Sequence, residues 1–503
     1  MNSHFSLKLL RWSFQRCACQ TSLCFSGRTN REMFILQLRP YILDFMNYSG
    51  KRTTKNLGGS DEGGLKKYLR FPLRCLIMRK PIHVNLLQAT RPVLTCFICC
   101  VMAWGQHLSA MQQEMPLPWS QFRGPLRDGS SHTQRDTLTP SGPQIVWLTR
   151  IGTGGYSGIS AAGDLIYTLF SDSQYDYAVA LYAATGKEAW RYLLDETYKG
   201  HSGSKDGPHS TPTIDGDTLY VLTPHGKLYA LTKDDGQLVW GLDIKEALGA
   251  IEPFYGFATS PLIHGTELIL QVSGTPGQTL VALDKKTGEK IWGIRLEKSE
   301  YTSPVVATLA GVEQILLRTE QHLFAVSPID GKTLWQVSAD KESTSSPVVV
   351  SPNTVMLAGW QETVYLEIVK RGSTLTAREV WRNRHIKKNL ISPVFHAGYF
   401  YGFSGSFMVC IEAASGKKIW RARQGDNASA ISVGDYLVVI SESGRVVIVD
   451  ATPKAYTEIS SLNVLHNATV SPPATHQGNI YVRGLNEIAC LNVFNPKTGG
   501  TGQ

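Results

Sequence analysis

The phrase AVALYAATGKEAW, residues 178–190, returns along the chain as KLYALTKDDGQLVW, LVALDKKTGEKIW, LFAVSPIDGKTLW and FMVCIEAASGKKIW, which end at Trp240, Trp292, Trp335 and Trp420. A short unit repeated at a near-constant period cannot bury its own apolar face and must stack on its neighbours, so this repeat constrains the fold more than any other feature. Four residues before each tryptophan stands a glycine (Gly186, Gly236, Gly288, Gly331, Gly416), itself preceded by Thr, Asp or Ser. Glycine reaches positive φ without strain, and the short polar residue before it hydrogen-bonds nearby backbone, which is the chemistry of a tight hairpin turn. The flanking runs are short and rich in β-branched and aromatic residues, so they read as strands. Ten residues before each tryptophan is a small side chain: Ala180, Ala230, Ala282, Ala325 or Cys410.

Upstream of each hairpin a Ser/Thr-Pro or similar step opens an apolar strand, a Gly, Asn or Asp turn follows, and a second apolar strand leads into the hairpin, as in TSPLIHGTELILQVSG. Each repeat therefore holds four antiparallel strands. From Trp190 through Trp240, Trp292, Trp335 and Trp381 to Trp420 the repeat length is that of a four-stranded propeller blade. Two copies are degraded: the one ending at Trp381 lacks the turn glycine, and residues 446–459 have lost the tryptophan. The C-terminal GNIYVRGLNEIACLNVFNP has no tryptophan strand after it, whereas QIVWLTRI at 144–151, with Trp147, is such a strand without a blade. Joined, the two complete an eighth blade and remove the open sheet edges. The expectation is an all-β, eight-bladed β-propeller of four-stranded antiparallel blades over residues 144–495, closed by strands from both ends of the chain.

The A-L-D-x-x-T-G-x-x-x-W phrase at 282–292 resembles the pyrroloquinoline quinone (PQQ) enzyme repeat, a WD40-like blade unit found in quinoprotein alcohol dehydrogenases and in the non-enzymatic outer-membrane β-barrel assembly lipoproteins. WSQFRGPLRDGSS at 119–131 is similar to the lead-in sequence of secreted PQQ-like repeat proteins. The resemblance implies that Trp147, Trp190, Trp240, Trp292, Trp335, Trp381 and Trp420 dock each blade on its neighbour. A large aromatic side chain buries about 150–250 Å², an upper estimate of roughly 4–6 kcal/mol at about 25 cal/mol per Å².

Residues 1–91 hold sixteen of the fifty Lys and Arg but only four of the forty-one Asp and Glu, so the remainder carries a net charge of −3. The basic pI belongs to the N-terminal segment, and no basic stripe on the propeller suggests nucleic acid. Seven of the nine cysteines precede residue 110; Cys410 and Cys490 occupy the small-residue slot of two different blades and read as unpaired core residues. VLTCFICCVMAW at 93–104 is an apolar run of signal-peptide length, led by the basic MRKPIHVNLLQATRP and followed by a small-residue site, so 78–110 is expected to be a signal peptide cleaved after Ala110. The alternative is that 93–104 anchors the chain in a membrane. Residues 1–77 read as an over-extended start or a disordered basic extension, 111–143 as a lead-in segment and 496–503 as a flexible tail. No small residue precedes a cysteine in the manner of a lipid-attachment site.

A quinoprotein of this resemblance requires a quinone in the channel, Ca²⁺ on carboxylate and amide oxygens and a catalytic aspartate, and often a vicinal cysteine pair. The only adjacent cysteines, Cys99 and Cys100, fall in the expected signal peptide, and no residue is assigned a catalytic or metal-ligating role. IGTGGYSG at 151–158 has no helix after it to receive a phosphate and reads as the turn into the first blade. The longest insertion, 191–210, carries Asp195, Glu196, His201, Asp206 and His209, a weak pattern for a metal and more commonly a solvated loop. The loops before the innermost strands place Tyr156, His209, Phe257, Tyr301 and Asn389 at the mouth of the central channel, where a ligand or peptide would bind. The favoured expectation is a periplasmic or secreted, monomeric, non-catalytic scaffold for a protein partner in the cell envelope, with no cofactor. The alternatives are a quinoprotein oxidoreductase using PQQ with calcium, and a membrane-tethered sensor module.

Overall fold

The computed structural model describes residues 117–131, 138–273, 278–298, 301–340, 344–387, 391–466 and 471–496. The expected signal peptide, the 93–104 run, the extreme N-terminal segment, Asn389 and the tail beyond residue 496 lie outside the described residues.

Eight four-stranded antiparallel sheets are arranged as the eight blades of a propeller. The first runs through Ser160–Ala162, Leu165–Ser171, Tyr175–Tyr182 and Glu188–Glu196. Six more repeat that order, the seventh ending at Glu458–Asn463. The eighth takes three strands from the C-terminal end, Ala474–His476, Asn479–Arg483 and Glu487–Pro496, and its outermost from Leu138–Arg150. The closing strand thus starts six residues before the expected boundary.

The turn glycines adopt the positive φ their position requires, from 67° at Gly186 to 76° at Gly288. They meet a second demand that the turn alone does not show: the face of each lies on the tryptophan of the preceding blade. A Cβ on Gly288 would stand 2.9 Å from the Trp240 ring, and Gly331 and Gly416 meet Trp292 and Trp381 in the same way. The indole N–H then donates to a carbonyl of that next blade: Trp147 to Ala183, Trp190 to Lys233, Trp240 to Lys285, Trp381 to Ala413 and Trp420 to Thr452.

The small-residue slot follows from register. Ala180 lies opposite Tyr167 on one side and Trp190 on the other, and Ala230, Cys410 and Cys490 lie likewise between Tyr220 and Trp240, Tyr401 and Trp420, and Tyr481 and Trp147. Two large rings flank the position, so only a small side chain fits between them. Cys410 and Cys490 are free and fully buried, and burial pushes their thiols up to about 12 and about 11.

The degraded blades keep the volume by exchange. In the seventh, Val438, Ile448 and Ser460 stand where other blades place aromatic, small and tryptophan. In the fifth, Tyr365 fills the slot between Met356 and Trp381 and stacks on the indole at 5.2 Å. Its last hairpin is longer, Thr363–Arg371 and Thr374–Asn383, so the turn glycine is Gly372, displaced along the chain. Trp335 of the preceding blade donates instead to Gln314 Oε1 of its own blade, at 2.6 Å. Among the described residues no helix is long and apolar enough to cross a membrane.

Candidate functional site

Around the axis, the hydroxyls of the Ser/Thr-Pro steps join neighbouring blades. Thr211 Oγ1 accepts from Gly158 N–H, Ser260 Oγ from Thr211 N–H, Ser303 Oγ from Ser260 N–H and Ser346 Oγ from Ser303 N–H, at 2.9–3.2 Å. Ser429 Oγ donates to the Ser471 carbonyl, and Ser471 Oγ to that of Tyr156. The serine whose position the sequence marked only as a strand opener is a ring-closing donor and acceptor.

The lead-in segment crosses this axis. Trp119 and Ser120 accept, through their carbonyls, from Ala161 N–H and Ile214 N–H of blades one and two, while Ser131 N–H donates to Ser432 and Gly129 accepts from Ser432 N–H of blade seven. Arg127 donates to the Ser260, Pro261 and Pro304 carbonyls of blades three and four, and Arg123 to those of Ser392 and Pro393 of blade six. Gln121 Oε1 accepts from Arg127 Nε at 2.8 Å. Both arginines are 2% exposed. Burial lowers Arg123 to about 10 and Arg127 to about 9. Burying a guanidinium is costly unless its donors are occupied: both Nη atoms of Arg123 and all three nitrogens of Arg127 have acceptors, and of these two side chains only Arg123 Nε is left without one. Both backbones sit at positive φ, 60° and 57°, a strain of roughly 1 kcal/mol or more each that the surrounding bonds must hold. The two glycines of the motif make room: a Cβ on Gly124 would strike the Trp119 ring and one on Gly129 the Arg123 guanidinium.

On the opposite face, the loops that join one blade to the next carry a continuous cluster of rings. A short helix, Ile244–Leu248, begins at Asp243, whose carboxylate accepts from Lys245 and Glu246 N–H, and stops at Gly249 with φ 65°. The loop after it is pinned by Phe257, which is 1% exposed, packs near Gly226 and Ile244, and donates its N–H to the Pro224 carbonyl. Of the five residues expected at the channel mouth, Phe257 is therefore a core anchor. By seating there it leaves Phe254 outward, 58% exposed.

Phe254 meets His201 edge-on at 4.4 Å and Tyr255 at 4.9 Å, and Tyr255 meets Tyr301 at 5.6 Å. Tyr198 meets His201, His209 and His225, and His209 meets Tyr156. Tyr301 Oη accepts from Tyr255 N–H at 3.0 Å, and Tyr198 Oη donates to the Phe254 carbonyl. Three expected residues, Tyr156, His209 and Tyr301, thus fall in one cluster with Tyr198, His201, His225, Phe254 and Tyr255. Sequence reasoning passed over Phe254 and Tyr255, although the run EPFYGF between two Gly-bounded loops was a legible signal.

The electrostatics of this face are mixed. Glu252 pairs with His225 at 3.4 Å and Lys245 at 3.0 Å, and Lys199 with Asp206 at 3.1 Å. Burial lowers His209 to about 4, so its imidazole is neutral. Beneath the loop, Asp176 is fully buried and burial raises it to about 7, with Asp195 and Asp206 adding to the rise and the Tyr198 N–H opposing it. Among the described residues no three His, Cys, Asp or Glu side chains come together to hold a metal ion. The arrangement offers ring faces and edges with neutral and charged hydrogen-bonding groups between them, which suits adhesion to an apolar or aromatic surface.

A family described as outer membrane protein assembly factor BamB matches residues 136–240 and 176–421, together more than half of the chain. BamB from Moraxella catarrhalis superposes with a TM-score of 0.51 at 16% identity, over 70% of this chain and 97% of that one. The computationally designed Ika8 protein superposes with a TM-score of 0.51 at 10% identity, over 70% of this chain and all of that one. Over 84 residues the chain is 30% identical to the quinate/shikimate dehydrogenase (quinone) of Acinetobacter baylyi, a match that spans 16% of this chain and only 10% of that enzyme. The PQQ-type repeat, the eight-bladed ring and the extent of the match agree: the chain belongs to the family of the outer membrane protein assembly factor BamB.

Proposed function

We propose that this propeller is a non-catalytic, monomeric scaffold of the cell envelope that docks a protein partner on the loop face of its first three blades. The observation that carries the reading is the ring cluster that spans four successive inter-blade loops, from Tyr156 to Tyr301, and presents the exposed Phe254. Rigidly seated aromatic residues beside a polar rim are the usual anchors of protein–protein interfaces. Family membership supports an envelope role, and the signal-peptide reading of residues 78–110 supports export. A quinoprotein reading draws its support from the short match to the Acinetobacter baylyi enzyme. It differs in requiring a quinone and Ca²⁺.

The docking reading is tested by placing a photo-crosslinking amino acid at Phe254 and, separately, at Ile329, which is 84% exposed in the turn between the last two strands of blade four. In living cells of the native host, a discrete protein adduct is expected from position 254 and none from 329. Equal adducts from both, or none from 254, would overturn it.

A further inference from the structure

We propose that residues 119–131 form a plug that seals one mouth of the axial channel and is latched there by Arg123 and Arg127, so that whatever reaches the channel comes from the loop-bearing face. The proposal is independent of which partner docks. A segment of thirteen residues that bonds to the innermost strands of blades one, two and seven, and to the Ser-Pro steps that open those of blades three, four and six, has partners on opposite sides of the axis and must cross it. It binds by two means. Its backbone pairs with inner-strand amides and carbonyls where it runs close to blades one, two and seven. Where the chain crosses the open centre, the two long guanidinium side chains reach the carbonyls of blades three, four and six.

The motif is built for this place. Trp119 is 2% exposed in the core between the first and the last blades, so one end of the segment is fixed. Gly124 admits that indole and Gly129 admits the Arg123 guanidinium, and each would collide with a Cβ. Asp128 Oδ1 accepts from Ser130 N–H and turns the chain toward its bridge with Ser432. Arginine suits the latch because its forked, planar head donates to two carbonyls at once, which a lysine cannot match.

The experiment introduces a thiol where the segment pairs with blade seven, Ser432→Cys, at a site that is 2% exposed and bonded through its backbone to Gly129 and Ser131. Maleimide labelling of the full chain is followed site by site by peptide mass. Cys410 and Cys490, both fully buried in the blades, report any unfolding of the ring. With the arginines intact the introduced thiol is expected to react at least ten-fold more slowly than in the Arg123→Met, Arg127→Met background, while Cys410 and Cys490 stay unlabelled in both. Should that double variant fail to fold, Arg127→Lys, which keeps a cation but loses the fork, is expected to speed labelling at least three-fold. The proposal is overturned if the introduced thiol reacts freely with both arginines present, if it stays hidden when they are replaced, or if it reacts only together with Cys410 and Cys490.

Discussion

At the scale of single residues, a glycine in this chain answers two different constraints, and substitution separates them. Gly288 and Gly265 both have positive φ, but a Cβ at Gly288 meets the Trp240 ring whereas one at Gly265 meets open space. Gly265→Ala is expected to cost about 1 kcal/mol, the strain of the left-handed backbone alone. Gly288→Ala should cost about 2–4 kcal/mol, because the docked indole must also move. Equal losses in denaturant melts would show that the tryptophan contact contributes nothing. Asp176 makes a second prediction, in pH. An aspartate ionises near 3.9 when unfolded and here near 7, so the native state holds a proton that the unfolded state has released. Stability from this group is therefore whole below pH 4 and falls as pH rises toward 7. Asp176→Asn is expected to raise the melting temperature by a few degrees at pH 8 and to leave it nearly unchanged at pH 4. A loss of stability at pH 8 would contradict the burial account.

Single elements show where sequence reading succeeded and where it stopped. The hairpin glycines, the tryptophan spacing and the orphan strand around Trp147 were enough to lay out eight blades, because turn chemistry and period are local properties. The fifth blade looked as if it lacked its glycine because its hairpin is longer, and the displaced turn at Gly372 became visible only with the register of Thr363–Arg371 against Thr374–Asn383. The site was harder to read. Tyr156, His209 and Tyr301 fall in one ring cluster, but Phe257 is an anchor and Phe254 is the exposed ring, a distinction set by burial three residues apart. The arginines of the lead-in segment bond to residues 133 to 270 positions away, and no spacing rule predicts such partners. For the closing strand, deletion of residues 138–150 should expose the edge of Glu487–Pro496 and the side of Tyr481 and Cys490 that Trp147 covers. The expected result is self-association in sedimentation, since unpaired strand edges template pairing. A monomer with an unchanged melting transition would mean that this strand does not close the ring.

At the scale of the whole molecule, the two faces differ in kind. One is crossed by the lead-in segment, and the other carries a cluster of rings on four successive inter-blade loops. Hydroxyl-to-amide bonds near the axis link blades one to five in succession, so the loops that carry the rings stand on a frame in which each of these blades braces the next. Such a frame suits surface recognition, because anchors held rigidly lose little freedom on binding. The central claim is that the propeller works as a scaffold and not as a quinoprotein. The measurement that tests it most directly is the melting temperature of the protein with and without PQQ and Ca²⁺, at about a hundred times a plausible Kd. Specific binding at that ratio contributes roughly 2.7 kcal/mol and would raise the transition by about 3–5 °C. The account predicts no shift, and a rise of that size would contradict it.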